Sequence, residues 1–352
     1  MKNKELFFLL LIGSIFFPSH SFSQGMFPSL NFHPDEYNAP AQNFALIQDD
    51  NRKLYVGNKD GVLIYDGEEW RIVKVKNGTN VLSLKKFDNK IYVGASKEFG
   101  YLKPSRKGKL KYVSLLNKLS SDSAMGDFNN IHVINNDTIV FQSEKGLYFL
   151  NEGEMKKKMF PFKIVFSYSN KNNLFLQNKK GKLFKVDINK KELAYEKIYD
   201  PEIRNISQIR DLKIKNDSVL TLLTSYKGIM KMTYNEDTSI IHKSEFKQLN
   251  KELINDFDNV GLTDFAILNK YIVIGSQGGG LLIFDKNSQK KWSLNSNNKL
   301  LNDFVNYIYI GENGEIWTAL NKGIARIGLN SPLRRFSKEQ GINGTVQSVL
   351  KT

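Results

Sequence analysis

Four histidines, 36 acidic residues and no cysteine bound the chemistry open to this 352-residue chain. Without cysteine there are no disulfides, thiolate metal sites, thiol nucleophiles or dithiol redox steps. His20, His33, His132 and His242 lie far apart, with no His-x-His or His-Glu-x-x-His spacing to gather a metal. His132 sits in an apolar run, where a histidine reads as a packed, satisfied residue rather than a ligand. "GSQGGG" at 275–280 has the glycines of a phosphate loop, yet no Lys-Ser/Thr follows and no helix opens after it. It reads instead as a hairpin turn. There is no Gly-x-Ser-x-Gly elbow. Carboxylates such as Asp49, Asp50 and Asp211 are plentiful. Their positions along the chain do not place two of them the ~5–9 Å apart that glycoside hydrolysis needs. The residues predict no catalytic set, no metal site and no cofactor, which leaves recognition.

The elements that would position recognising side chains are set by an internal repeat. A β-rich run leads through a short glycine-bearing turn into a second β-rich run seven times. The copies are "LYVGNKDGVLIYDG" (54–67), "IYVGASKEFGYLKP" (91–104), "TIVFQSEKGLYFL" (138–150), "LFLQNKKGKLFKV" (174–186), "LTLLTSYKGIMKM" (220–232), "IVIGSQGGGLLIFD" (272–285) and "EIWTALNKGIARI" (315–327). Their turn glycines are assigned as Gly61, Gly100, Gly146, Gly181, Gly228, Gly280 and Gly323, a mean period of about 44 residues. Another strand-like run precedes most copies, from "NFALIQ" (43–48) to "VNYIYI" (305–310), and a looser fourth run follows several, such as "WRIVKV" (70–75) and "KWSL" (291–294). Four strands repeated seven times, with almost no helix, predict an all-β chain folded as a seven-bladed β-propeller of four-stranded antiparallel blades. "LRRFSK" (333–338) is expected to supply the outer strand of the seventh repeat.

In such a ring the innermost strands surround the axis, so polar residues leading them can converge on one solute. This selects Arg210, Asp211, Asp264 and Asn306 as ligand candidates, with Glu98 of "KEFGY" added as a residue for the rim of the channel. Asp66–Gly67 reads as a turn pair, and Trp70 and Phe99 as packing between blades.

The N-terminus reads as an export signal over residues 1–23. Lys2 and Lys4 precede the apolar run Leu6 to Phe17, and Ser21 and Ser23 supply small residues before Gln24. That run is shorter than the ~20 residues of a comfortable membrane span. The expected location is therefore outside the cytoplasm, periplasmic or extracellular. Net charge is +15, but the basic stretches "SRKGKLK" (105–111), "MKKKM" (155–159), "NKKGK" (178–182) and "NKK" (189–191) fall in separate hairpins. They are not interleaved with stacking aromatics on one face, so the charge reads as a lysine-rich surface and not as a nucleic-acid groove.

Several segments resemble one family. "EIWTALNKGIARI" is similar to the two-component regulator propeller repeat through Trp317, Thr318, Gly323 and Ile324, although Ala319 stands where glycine is frequent. "YNAPAQNFALIQDDNRKLYVGNKDGVLIYDGEEW" (37–70), followed by "YVGASKEFGYL" (92–102), resembles the opening of exported bacterial sensor proteins that carry this propeller and then a triple-tyrosine domain. Phe44 stands where tryptophan is common. The resemblance implies an extracytoplasmic sensing segment, an oligosaccharide or other small extracellular ligand, and a membrane-bound signalling partner or further C-terminal domains absent from this sequence. The alternatives are a glycosidase-like or lyase-like propeller enzyme acting on a polysaccharide, and a protein-interaction scaffold.

The propeller is expected over residues 24–340. "GTVQSVL", within residues 341–352, is then read as the first strand of a further, truncated propeller. The competing reading is a latch on the N-terminal blade, since the segment around Leu30–His33 has no assigned partner.

Overall fold

The computed structural model describes residues 25–106, 108–119, 126–170, 173–188, 194–199, 209–216, 219–225, 228–235, 240–241, 247–248 and 260–336. His20, His242 and the 341–352 tail lie outside them.

A short strand, β1 (Ser29–Phe32), precedes the first complete sheet. That sheet runs β2 (Asn43–Gln48), β3 (Leu54–Asn58), β4 (Gly61–Tyr65) and β5 (Trp70–Val73). The second is β6 (Val81–Phe87), β7 (Lys90–Ala95), β8 (Glu98–Pro104) and β9 (Leu110–Ser114). The third is β10 (Phe128–Ile134), β11 (Thr138–Ser143), β12 (Gly146–Asn151) and β13 (Glu154–Met159). The fourth is β14 (Ile164–Asn170), β15 (Asn173–Asn178), β16 (Leu183–Asp187) and β17 (Ala194–Tyr199). The fifth holds β18 (Ile209–Asn216), β19 (Val219–Thr224) and β20 (Gly228–Asn235), with two short outer strands, β21 (Ile240–Ile241) and β22 (Lys247–Gln248). The sixth is β23 (Leu262–Ile267), β24 (Tyr271–Ser276), β25 (Leu281–Asp285) and β26 (Lys291–Leu294). The seventh combines β27 (Val305–Ile310), β28 (Ile316–Leu320) and β29 (Ile324–Ile327) with β1.

Every pairing is antiparallel, and the first strand of each sheet adjoins that of the next until β27 meets β2 and closes the ring. The fold is the seven-bladed propeller expected from the repeat. Its core lies between blades. Leu46, Val56 and Leu63 meet Trp317, Ala319 and Ile324 across the closing junction. Phe99 of the second blade sits among Phe128, Phe141 and Tyr148 of the third, with ring centroids 4.6–5.7 Å away. Middle strands such as β3 are buried along their whole length, which is why they read as continuous apolar runs. Trp70 stacks on Tyr65 at 4.7 Å, so both aromatics singled out from sequence, Trp70 and Phe99, serve packing.

Two expectations are corrected. The outer strand of the seventh blade is not 333–338 but β1, paired so that Leu30 faces Arg326 and Phe32 faces Ile324. The chain's first described strand thereby completes its last sheet, which accounts for the segment that lacked a partner. Gly100, assigned to a turn, lies inside β8 opposite Val93. A Cβ there would come within 2.1 Å of the Val113 carbonyl, so this glycine admits a close strand. The turn itself is made by Lys97 in the left-handed region, φ 56°. "GSQGGG" is the β24–β25 hairpin, with Ser276 Oγ accepting from Gly279 N at 2.9 Å and Gly280 at φ 74°.

Residues 25–28 and 331–336 belong to a separate compact unit. In it Met26 and Arg335 exchange two backbone hydrogen bonds of 2.7 and 2.8 Å, and the Arg334 guanidinium lies 4.4 Å from the Phe27 ring centroid.

Candidate functional site: the central channel

All seven innermost strands carry a β-bulge near their start. In each, one residue is skipped in the pairing: Phe44, Leu82, Asn129, Val165, Arg210, Thr263 and Asn306. A bulge bends its strand and re-aims side chains. Repeated once per blade, it sets a ring of side chains at one level around the axis. Six of the seven, all but Val165, line a central cavity of about 370 Å³. That lies within the size range of small-molecule sites.

Much of the polar wall is occupied in holding blade to blade. Ser83 Oγ donates to the Phe128 carbonyl at 2.9 Å, and Asn130 Nδ2 to the Ser167 carbonyl at 3.2 Å. Asn306 Nδ2 donates to the Asn43 carbonyl at 2.8 Å across the closing junction. Asp264 accepts from Phe265 N on Oδ1 at 2.9 Å and from Ile308 N of the next blade on Oδ2 at 2.7 Å. Asp211 Oδ1 accepts within its own strand, from Leu212 N at 2.7 Å.

His132 belongs to the same set. Its Nε2 lies 2.7 Å from Ser167 Oγ and its Nδ1 lies 3.1 Å from Ser169 Oγ. Ser167 gives its own proton to Gln142 Oε1 at 2.9 Å. The proton between His132 and Ser167 must therefore sit on Nε2, leaving Nδ1 to accept from Ser169. Burial, reinforced by the Lys85 ammonium, pushes the imidazole pKa down to about 3, so the ring is neutral.

Other wall groups face the solvent of the cavity. Arg210 is exposed and oriented by a 2.8 Å hydrogen bond from Nε to Ser225 Oγ. Asn129 is exposed, and its amide has no partner among the described residues. Tyr307 is 37% exposed, and its phenol is held above the ordinary value by burial in the channel and by the carboxylates of Asp264 and Asp211. It therefore stays a hydrogen-bond donor across the neutral range. Phe44 and Leu82 supply an apolar arc.

Four of the five sequence candidates, Arg210, Asp211, Asp264 and Asn306, are thus brought together on one wall. Glu98 is not at the rim of the channel. It opens β8, the third strand of its blade, and is buried, with Oε1 accepting from Phe99 N at 2.9 Å, Tyr112 Oη at 3.0 Å and Ser114 Oγ at 2.8 Å. Sequence reasoning missed Phe44, Leu82, Asn129 and Tyr307. Aligning the first strands as N-F-A, V-L-S, F-N-N, I-V-F, I-R-D, L-T-D and V-N-Y makes the bulged position the second residue of each.

Fold and channel define a closed seven-bladed propeller with a walled, ligand-sized cavity on its axis. No protein-family model matches the chain, and no curated protein matches it. Solved structures do. The extracellular domain of a protein described as a one component system of B. thetaiotaomicron superposes with a TM-score of 0.62 at 16% identity, over 85% of this chain and 39% of that one. The extracellular domain of one described as a hybrid two component system from the same organism gives 0.65 at 13% identity, over 87% and 42%. Virginiamycin B lyase from Staphylococcus aureus gives 0.60 at 12%, over 87% and 100%. These likenesses show the fold. The chain spans about two fifths of the length of the two regulator domains.

Proposed function

We propose that this chain is a non-catalytic, exported sensing propeller that recognises a small hydroxylated ligand, an oligosaccharide for instance, in its central channel. It acts on the extracytoplasmic side of a regulator. Binding energy would shift the packing of the ring against a membrane-bound signalling partner or further domains of the same protein.

The observation that carries this reading is the division of labour on the channel wall. Asp264 spends both carboxylate oxygens on backbone N–H groups, which argues against a pair of carboxylates poised for hydrolysis. Arg210, Asn129 and Tyr307 offer hydrogen bonds to the cavity beside the apolar arc of Phe44 and Leu82. The likeness to regulator ectodomains agrees with this reading, and the likeness to a lyase names its rival.

Calorimetry against a panel of oligosaccharides, with product analysis of the same mixtures, is the test. Binding without turnover is the expected result. Product formation abolished by one carboxylate substitution would overturn it in favour of a propeller enzyme.

A further inference from the structure

Two of the basic stretches that look scattered along the sequence, 105–111 and 155–159, come to one junction of the ring. Residues of β8 that share a side with Phe99 and Tyr101 face the third blade, because both aromatics belong to the cluster between the second and third blades. Lys103 continues that side, and Lys111 of β9 is paired directly opposite it. On the third blade Lys157 is paired opposite Tyr148, a member of the same cluster, and so faces back toward the second. Lys90 Nζ lies 5.6 Å from the centroid of the Tyr101 ring. Lys118, in the connection between the two blades, reaches the Gly153 carbonyl at 2.7 Å.

All five lysines are exposed, and none forms an ion pair among the described residues. Among the described residues the acidic groups on these strands' turns are Asp88, which acts on Tyr92, and Glu152 between β12 and β13. Glu154 is paired with Asn151 and so lies on the opposite side of its sheet. Lysine on an outer strand discourages edge pairing, but that role needs only isolated charges. Two lysines directly opposite each other on paired strands repel, and no ion pair among the described residues offsets them.

We propose that the outer junction of the second and third blades binds a polyvalent oxyanion, carried on a phosphate or sulfate chain. The site centres on the outer strands β8, β9 and β13, with Lys90 of β7 and Lys118 of the connection beside them, and none of these lysines lines the channel. Lysine suits such a ligand, since it acts as a point charge on a mobile stem and several can converge without a rigid fork.

The test is thermal melting of the whole chain with inorganic tripolyphosphate, with dextran sulfate, and with sodium chloride at matched ionic strength. At least one oxyanion is expected to raise the melting temperature by several degrees where matched chloride does not. Which of the two acts identifies phosphate or sulfate as the carrier. The Lys103→Gln/Lys111→Gln variant is expected to lose the shift. Lys156→Gln/Lys158→Gln, on the opposite side of β13, is expected to keep it. Chloride reproducing the shift, both oxyanions failing, or the shift surviving in Lys103→Gln/Lys111→Gln would overturn the proposal.

Discussion

The inner and outer strands of the same blades solve opposite problems. Inner strands such as β23 and β27 use polar groups to join neighbouring blades, as the buried Asp264 does with Ile308 and Asn306 with Asn43. Outer strands such as β9 and β13 keep charge exposed at Lys111 and Lys157, with no ion pair among the described residues. A buried acceptor that satisfies two N–H groups contributes strongly, because removing it strands both donors. An exposed lysine contributes little to stability and is open to outside partners. Buried polar bonds thus join the blades near the axis, while charge at the outer strands stays open to partners.

The sharpest break of that contrast is Asp264→Ala. It orphans the buried N–H groups of Phe265 and Ile308 and is expected to cost about 2–5 kcal/mol in urea unfolding. A loss below about 1 kcal/mol would mean the inter-blade bond is dispensable.

The next effect is a pH dependence centred on His132. Its folded pKa is about 3, below the ordinary 6.5, so between those values the unfolded chain holds a proton that the folded chain lacks. Stability is complete above 6.5 and falls as pH drops through that window. At two pH units below 6.5 the loss is about 2.7 kcal/mol, at roughly 1.36 kcal/mol per unit. Comparing the acid-induced loss in the native chain and in His132→Gln isolates the contribution, and equal losses would refute it.

Arg210→Gln and Tyr307→Phe address two side chains that line the channel cavity. Each is expected to weaken ligand binding about tenfold, equivalent to roughly 1.4 kcal/mol. Tyr307→Phe is expected to move unfolding stability by under about 0.5 kcal/mol, and Arg210→Gln to cost about 1 kcal/mol more, because it takes a partner from the buried Ser225 hydroxyl. Calorimetry and urea unfolding read the two quantities separately.

The smallest effect is at the rim. Lys111→Gln relieves the pair with Lys103 and is expected to raise stability by a few tenths of a kcal/mol at low salt, with the gain vanishing in high salt. Melting at two ionic strengths checks it.

Much of this architecture was legible in the sequence, because the signals were local and repeated. Runs such as "VLSLKKF" and "VNYIYI" coincide with β6 and β27, since an apolar strand bounded by turns announces itself over a few residues. The failures were non-local. "SLNF" carries no mark of pairing with a strand near residue 325, and "LRRFSK" looked as strand-like. Gly100 imitates a turn glycine, while Lys97 takes the left-handed turn against its ordinary preference. Of the site, polarity at the head of a strand found Arg210, Asp211, Asp264 and Asn306. It could not separate the linking role of Asp264 from the exposed role of Arg210, because that depends on which neighbouring N–H each carboxylate or guanidinium meets. Glu98 was misplaced for the same reason, its partners Tyr112 and Ser114 being one strand away.

The closing of the seventh blade by β1 has a consequence for how the molecule is made. Four residues emitted early from the ribosome wait for a partner strand that emerges about 300 residues later, and bridging that separation costs roughly 5 kcal/mol of chain entropy by the logarithmic loop law. Until then six sheets can form with an open seam whose edges are exposed. Once the seam shuts, unravelling the repeats from either side requires breaking the sheet that holds both the first and the last of the ring's strands, so the ring resists fraying in a way a linear stack of the same repeats does not.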